Sequence, residues 1–218
     1  MVFIGAASGD DPRYYTAVKN HFADRLGCHT DNLNLSDLSQ RPSKDEFRAT
    51  ILNADIVYVG GGNPTRLMET LQETGADEIL LEAYNKGVVM SGNSAGGCLW
   101  FECFDNEEDE DYDGTEATLK TKPGLGLVPG YFVPHWNTKE ETRKEENSVP
   151  KDEIIKMLAR EAKSGYAVDE GAAIMFQSDG DKQMMSEIVS KPGAKIYKLN
   201  PNKSQICHMV RRPTGNLR

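Results

Sequence analysis

The pentapeptide Gly-Asn-Ser-Ala-Gly at residues 92–96 follows an apolar run and precedes a predicted helix. Small residues on both sides of Ser94 allow a tight, strained turn that directs its hydroxyl away from the edge of a sheet. The N-terminus of the following helix brings backbone N–H groups beside that hydroxyl, and the Ala95 N–H is well placed to stabilise an oxyanion. The pattern therefore predicts a nucleophilic serine and acyl-transfer chemistry.

A second glycine-rich segment, Gly-Gly-Gly-Asn at residues 60–63, also follows an apolar run. Successive glycines let the backbone approach a ligand closely. Loops that follow neighbouring parallel strands meet at the carboxyl edge of the sheet, where ligands bind in α/β folds. We therefore expect the Gly62 N–H to be the second oxyanion donor. The segment is not a Walker phosphate loop, because no Gly-Lys-Ser/Thr follows it.

A serine nucleophile needs a base, and the sequence contains four histidines: His21, His29, His135 and His208. His21 falls in a predicted helix, His29 opens a weakly apolar strand, and His208 lies near the end of the sequence. His135 follows the apolar run at 127–133, at the carboxyl end of a predicted strand, where a base is required. Elimination therefore favours His135 as the general base.

The acid that orients the imidazole has two candidate locations. An acidic segment at residues 105–113 lies between Ser94 and His135, and Glu170 follows a later predicted strand. The alternating aspartates of the acidic segment resemble the start of a calcium-binding loop. Lys120, however, stands where such a loop needs a bidentate glutamate, so a calcium site is not expected.

The elements that must position these residues alternate along the chain. Predicted strands cover 2–7, 29–35, 55–60, 87–90 and 127–133, and predicted helices cover 13–26, 43–53, 65–84 (with a break near Gly75), 95–102 and 138–163 (with a break near Pro150). Residues 166–200 are typical of several strands, with turns at 178–181 and 192–193. The alternation predicts an α/β fold with a parallel sheet, helices on both faces and a C-terminal antiparallel extension, in one domain over residues 1–218.

Composition excludes several classes of function. The net charge is -9 and no run of Lys and Arg exceeds a pair, which argues against nucleic-acid and membrane-surface binding. No apolar run approaches the roughly 20 residues of a membrane span, and the sequence does not start with a basic leader. The sequence has four cysteines and no CxxC motif, and we expect the cysteines to be reduced thiols of a cytoplasmic protein. We expect no metal, no cofactor, and a monomer or homodimer.

Taken together, four segments resemble the S51 family of serine peptidases, which includes peptidase E and cyanophycinase. They are 59–63, 92–96, 124–135 and 169–171, and they occur in the family's order. The family is similar in fold to class I glutamine amidotransferases (flavodoxin-like), with serine in place of cysteine. The resemblance implies Ser94 as nucleophile, His135 as base, and oxyanion donors at Gly62 and Ala95.

The resemblance also implies an acid and a substrate site. It places the acid between Ser94 and His135, which favours the acidic segment, with Glu107 or Asp109 as candidates, over Glu170. Peptidase E cuts after an N-terminal aspartate and carries Glu-Thr-Arg shortly after its histidine, as this chain does at residues 141–143. Arg143 is thus the predicted partner of a substrate carboxylate. Asn63, in the glycine loop, is the second predicted substrate-binding residue.

The sequence therefore predicts a serine peptidase that acts near the N-terminus of short peptides, with Asp-X dipeptides as candidate substrates. Two alternatives stay open. One is an esterase or amidase of another class with the same serine turn, although the short spacing between Ser94 and His135 disfavours an α/β-hydrolase. The other is an amidotransferase-like domain that binds a ligand or partner without turnover.

Overall fold

The computed structural model describes residues 1–105, 119–139, 142, 149–179, 182–189, 191–201 and 207–208. The chain forms two compact units. The first comprises Met1–Phe104 with Lys122–Val128, and the second comprises Asp105–Thr121 with Pro129–Arg218. The single domain over residues 1–218 therefore stays a prediction.

A four-stranded sheet forms the centre of the first unit. Its strands are β1 (Val2–Ile4), β2 (Asp31–Leu33), β3 (Ile56–Val59) and β4 (Val89–Gly92), in the order β2-β1-β3-β4. All three pairings are parallel. All of β1 is buried, and alternate residues of β3 are buried, because the sheet is covered by the crossover segments. This strand order is that of flavodoxin-like folds and confirms the predicted α/β class.

Five helices connect the strands of the first unit: α1 (Pro12–Lys19), α2 (Lys44–Leu52), α3 (Pro64–Thr74), α4 (Ala76–Asn85) and α5 (Ala95–Cys98). A short 3-10 turn at Ala6–Ser8 and a wider helical turn at Asn20–Arg25 accompany them. A capping box is present at the start of α2, because Ser43 and Glu46 cap each other's backbone N–H groups. The predicted break at Gly75 is also present, with Gly75 in the left-handed conformation (φ 67°).

The helix after Ser94 is shorter than predicted. It was expected to reach residue 102, but α5 ends at Cys98 and β5 (Phe101–Asp105) begins soon after. The carbonyl groups of residues 99–102 accept hydrogen bonds from N–H groups of the segment 124–128, at 2.8–3.0 Å, rather than from the next helical turn. Strand β6 (Thr121–Pro123), which precedes this segment, pairs with β5. Hydrogen bonds to residues distant in sequence therefore override the local helical pattern.

The second unit carries the remaining elements: β7 (Val128–Val133, of which Val128 belongs to the first unit), α6 (Lys151–Arg160), β8 (Gly165–Val168), β9 (Ala172–Asp179), β10 (Lys182–Val189), β11 (Ile196–Leu199) and β12 (Cys207–His208). Strands β7 and β8 are parallel, whereas β8 with β11 and β11 with β12 are antiparallel. Strands β9 and β10 form an antiparallel hairpin. The predicted antiparallel extension is thus confirmed.

Helix α6 covers part of the long helix predicted over residues 138–163. It begins directly after Pro150, as the predicted break requires, and buries Ile154, Met157 and Leu158 on one face. Residues 136–138 form a turn rather than a helix, because the Thr138 N–H donates to the carbonyl oxygen of His135 at 3.0 Å. Residues 140, 141 and 143–148 lie outside the described part of the chain.

Candidate active site

Ser94 occupies a strained turn between the end of β4 and the start of α5. Its backbone dihedrals are φ 50° and ψ -124°, a conformation that costs a non-glycine residue about 1–3 kcal/mol. Two hydrogen bonds close the turn: Gly96 N–H donates to the Asn93 carbonyl at 2.9 Å, and Gly97 N–H donates to the Ser94 carbonyl at 2.8 Å. This is the geometry that the sequence predicted for a nucleophilic serine.

The glycines on either side of Ser94 are required by close backbone contacts. A Cβ atom at Gly92 would collide with the Gly96 carbonyl, and one at Gly96 would collide with the carbonyl groups of Val59 and Gly60. The turn is therefore packed directly on the end of β3 and on the glycine loop that follows it. Such an approach leaves no room for any side chain at these two positions.

We predict that Gly96→Ala lowers the free energy of unfolding by about 3 kcal/mol, because rigid backbone atoms must move to accommodate the new methyl group. Gly27→Ala is the control. Gly27 has φ 71° and open space around it, so only backbone strain of about 1 kcal/mol is expected there. Urea unfolding of both variants checks the prediction. Equal losses in the two variants would contradict the close approach at Gly96.

The glycine loop after β3 lies against the serine turn. A Cβ atom at Gly61 would stand 3.0 Å from the Cβ of Ser94 and 3.2 Å from the Nδ2 of Asn93. Gly62 has φ 140°, and a side chain there would collide with the backbone of Ala7. The structure thus brings together the two glycine-rich segments that the sequence singled out.

Asn63, predicted to bind substrate, caps helix α3. Its side-chain Oδ1 accepts a hydrogen bond from the Arg66 N–H at 2.8 Å, and Pro64 occupies the first helical position. Its backbone N–H donates to the Ala7 carbonyl at 2.9 Å. Asn63 therefore anchors the end of the glycine loop, and its contact with substrate stays a prediction.

In the second unit, His135 contacts a carboxylate. Its Nδ1 lies 3.0 Å from Oε1 of Glu170. His135 follows β7 and Glu170 follows β8, and these two strands are parallel neighbours, so the loops at their carboxyl ends meet. The two side chains are 47% and 54% exposed, so the pair contributes little to stability, about 0–1 kcal/mol.

Hydrogen bonds join the loops that carry this pair. Trp136 N–H donates to the Val168 carbonyl at 3.0 Å, and Glu170 N–H donates to Oδ1 of Asn137 at 2.9 Å. Asp169 is buried, and its Oδ2 accepts a hydrogen bond from the Lys195 N–H at 2.9 Å. This bond fixes the turn that contains Glu170 to the residue directly before β11. These hydrogen bonds hold the Glu170 carboxylate beside Nδ1 of His135.

His135 shares an unusual backbone feature with Ser94. Among the described residues, non-glycine positions with positive φ are few: Asp10, Ser94, His135 and Ala162. The value at His135 is φ 54°. Strained residues that persist in a fold cluster at functional sites, and two of these four are the predicted nucleophile and base.

The two other candidate acids and the predicted substrate-binding arginine lie outside the described residues. Glu107 and Asp109 fall in the segment 106–118, and Arg143 falls in 143–148, so the roles assigned to them stay predictions. Glu170, the alternative acid, is the one that the structure describes in contact with His135. In the sequence, Glu170 was a candidate because it follows a predicted strand, but the family resemblance favoured the acidic segment instead.

The described residues contain no group of three or more His, Cys, Asp or Glu side chains arranged to hold a metal ion. In the same part of the chain, no helix combines the length and the apolar character needed to span a membrane.

Comparison with known proteins gives the family. The model of peptidase family S51 matches residues 1–184. The chain belongs to peptidase family S51. Membership makes it a peptidase and therefore a hydrolase, as the sequence predicted.

Two relatives of the chain are named as peptidases. The chain is 32% identical to the uncharacterized peptidase YgaJ of Bacillus subtilis over 96% of this chain and 81% of the relative. It is 30% identical to a peptidase E of Streptomyces coelicolor, over 69% of this chain and 62% of that protein.

Among solved structures, a peptidase from an acI-B1 Actinobacterium superposes with a TM-score of 0.71 at 19% identity, over 96% of this chain and 80% of the other. A putative peptidase E of Listeria monocytogenes gives a TM-score of 0.60 at 23% identity, over 86% of this chain and 85% of the other. Both show that this S51 chain shares its fold with peptidases.

Proposed function

We propose that the chain is a serine peptidase that forms an acyl-enzyme at Ser94 and hydrolyses short peptides near their N-terminus. The observation that carries the proposal is the geometry at Ser94, a strained turn at a helix start with a glycine loop packed against it. Strain of this kind persists only where the surrounding structure imposes it, and it exposes a hydroxyl to backbone N–H donors.

His135 is the proposed base, and its tautomer follows from the contact with Glu170. An ionised carboxylate only accepts hydrogen bonds, so Nδ1 of the imidazole must carry the proton that bridges to Oε1 of Glu170. In the neutral ring Nε2 then carries the lone pair and acts as the base. Glu170 also stabilises the imidazolium formed after proton transfer. We therefore propose Glu170 as the third member of the triad.

The proposed oxyanion donors are the N–H groups of Gly62 and Ala95. Ala95 is the first residue of α5, where a backbone N–H has no partner within the helix. In the glycine loop, the neighbouring N–H groups have other partners: Gly60 donates to Ile4, Gly61 to the Tyr14 hydroxyl, and Asn63 to Ala7. Of the N–H groups in this loop, we therefore propose that of Gly62 as the donor to the developing negative charge.

The proposed reaction has two stages, acylation of Ser94 and hydrolysis of the acyl-enzyme. Ser94 Oγ attacks the peptide carbonyl carbon while His135 Nε2 takes the serine proton. The C–N bond breaks, His135 gives its proton to the leaving amine, and the acyl group stays on Ser94. Water attacks this ester, His135 takes a proton from the water, and the tetrahedral intermediate collapses with return of that proton to Ser94.

For the substrate, we propose dipeptides with N-terminal aspartate. Support comes from the Glu-Thr-Arg sequence at 141–143 and from the similarity to a protein named peptidase E. The Arg143 guanidinium is suited to bind a carboxylate through two parallel hydrogen bonds. A cytoplasmic location and a monomer or homodimer remain predictions from composition and from the resemblance.

Hydrolysis of Asp-Leu, Leu-Leu and Lys-Leu tests the proposed substrate. We expect Asp-Leu to be cleaved preferentially, and Arg143→Ala to raise its KM about 10–100-fold, because a charge-assisted pair contributes about 1.5–3 kcal/mol. Leu-Leu hydrolysis by the same variant is the internal control and should not change. Equal cleavage of all three dipeptides would contradict the aspartate proposal while leaving the serine mechanism intact.

A wild-type chain that cleaves none of these dipeptides would favour the other two classes. Ester hydrolysis without peptide hydrolysis would indicate an esterase. A Ser94 that does not react with an active-site fluorophosphonate would indicate a ligand-binding domain without turnover.

A further inference from the structure

A tyrosine hydroxyl connects the glycine loop to the serine turn. The Tyr14 hydroxyl accepts a hydrogen bond from the Gly61 N–H at 2.9 Å and lies 2.9 Å from the Asn93 Oδ1, to which it donates. A hydroxyl can serve both partners at once, because it carries one donor and two acceptor sites. Tyr14 lies on α1 and thus joins two loops that follow different strands of the sheet.

A second tyrosine shares the Asn93 acceptor. The Tyr58 hydroxyl also donates to the Asn93 Oδ1, at 2.9 Å, so both lone pairs of that oxygen are used. Burial, followed by the neighbouring Tyr14, raises the pKa of Tyr58 to about 12, which keeps its hydroxyl protonated and donating across the physiological range. Asn93 is thereby held by two donors immediately before the nucleophile.

The two phenol rings are fixed by the core. The Phe3 ring is buried, with 1% exposure, and its centroid lies 5.3 Å from that of Tyr14 and 6.1 Å from that of Tyr58. Gly60 allows this packing, because a Cβ there would come within 3.0 Å of the Tyr14 ring. The position of the Tyr14 hydroxyl therefore depends on buried packing rather than on a mobile side chain.

We infer that Tyr14 is a positioning residue that holds the Gly60–Gly62 loop against Ser94 and so sets the place of the oxyanion donor at Gly62. The inference rests on the proposed function and extends it to a residue that does not touch the substrate. The loop lies so close to Ser94 that a Cβ atom added at Gly61 would stand only 3.0 Å from the Ser94 Cβ. A small loop displacement would therefore move the Gly62 N–H relative to the reacting carbonyl.

Tyr14→Phe tests the inference, because it keeps the ring and removes only the hydroxyl. The readout is the labelling of Ser94 by a fluorophosphonate, in which an Oγ–P bond forms, fluoride leaves and the serine proton passes to the base. Negative charge develops on the phosphoryl oxygen, so labelling depends on the oxyanion donors. We expect the labelling rate at saturation to fall about 10–100-fold, with less than about a 3-fold change in the half-saturating concentration.

Two matched variants isolate the link to Gly61. Tyr15→Phe is the control, because Tyr15 also lies on α1 and stacks on Phe3, but its hydroxyl donates to the Thr30 carbonyl instead. It should label at the wild-type rate. Tyr58→Phe removes a donor to Asn93 without touching the Gly61 link, so its loss should be clearly smaller than that of Tyr14→Phe. Thermal unfolding of each variant checks that the fold is retained.

The outcomes separate this inference from the proposed function. Wild-type labelling at Ser94 with an undiminished rate in Tyr14→Phe would overturn the inference alone. An equal loss in Tyr14→Phe and Tyr58→Phe would also overturn it, because both would then act through Asn93. A wild-type chain without labelling at Ser94 would overturn the nucleophile assignment and the inference with it. A selective loss in Tyr14→Phe, with thermal stability close to that of Tyr15→Phe, would support it.

Discussion

Ser94→Ala is expected to lower kcat/KM for peptide hydrolysis by at least about 10⁴-fold. The variant lacks the oxygen that forms the acyl-enzyme, so only the oxyanion donors and substrate binding remain to assist direct attack by water. The fold should be kept, because alanine differs from serine only by the loss of the hydroxyl group. Initial rates on the three dipeptides, followed by release of the free amine, measure the loss.

Ser91→Ala is the matched control for the nucleophile. Ser91 lies on the strand that leads into the turn, and its hydroxyl donates to the Val57 carbonyl at 3.1 Å. Its removal should change stability by about 1 kcal/mol and leave turnover close to that of the wild type. Retention of activity in Ser94→Ala, with the contaminating activity measured in a mock purification subtracted, would mean that another residue is the nucleophile.

Glu170→Gln is expected to lower kcat by about 10²–10⁴-fold. Glutamine keeps the size of the side chain but removes the negative charge that stabilises the imidazolium, and its amide NH₂ can hold His135 in the unproductive tautomer. Stability should change by less than about 1 kcal/mol, since both side chains of the pair are about half exposed. Steady-state kinetics and urea unfolding of the same preparation measure both effects.

The same series decides between the candidate acids. Glu107→Gln and Asp109→Asn are measured beside Glu170→Gln, because the resemblance had favoured the acidic segment. Glu69→Gln is the control for loss of an exposed carboxylate, since Glu69 lies on α3, is 64% exposed and lies 3.9 Å from the Lys122 ammonium group. A large loss in either acidic-segment variant, with Glu170→Gln close to the wild type, would move the acid to that segment.

Local patterns in the sequence were reliable where the structural requirement is itself local. The capping box of α2 involves residues three apart, and the break at Gly75 needs only a glycine that adopts positive φ. The helix predicted over residues 95–102 failed for the opposite reason. Its carbonyl groups bond to a segment more than twenty residues away, and no local pattern reports such a partner.

From the sequence we could predict the α/β class, the strained turn at Ser94 and the glycine loop, because small residues between an apolar strand and a helix can be recognised within a few positions. The three-dimensional fold was needed to identify the carboxylate that contacts His135 and the hydroxyl that joins Gly61 to Asn93. Glu170 lies 35 positions from His135, and Tyr14 lies 47 and 79 positions from its two partners. Periodicity predicts which side chains are buried, but strand register and ring packing decide which polar atoms meet.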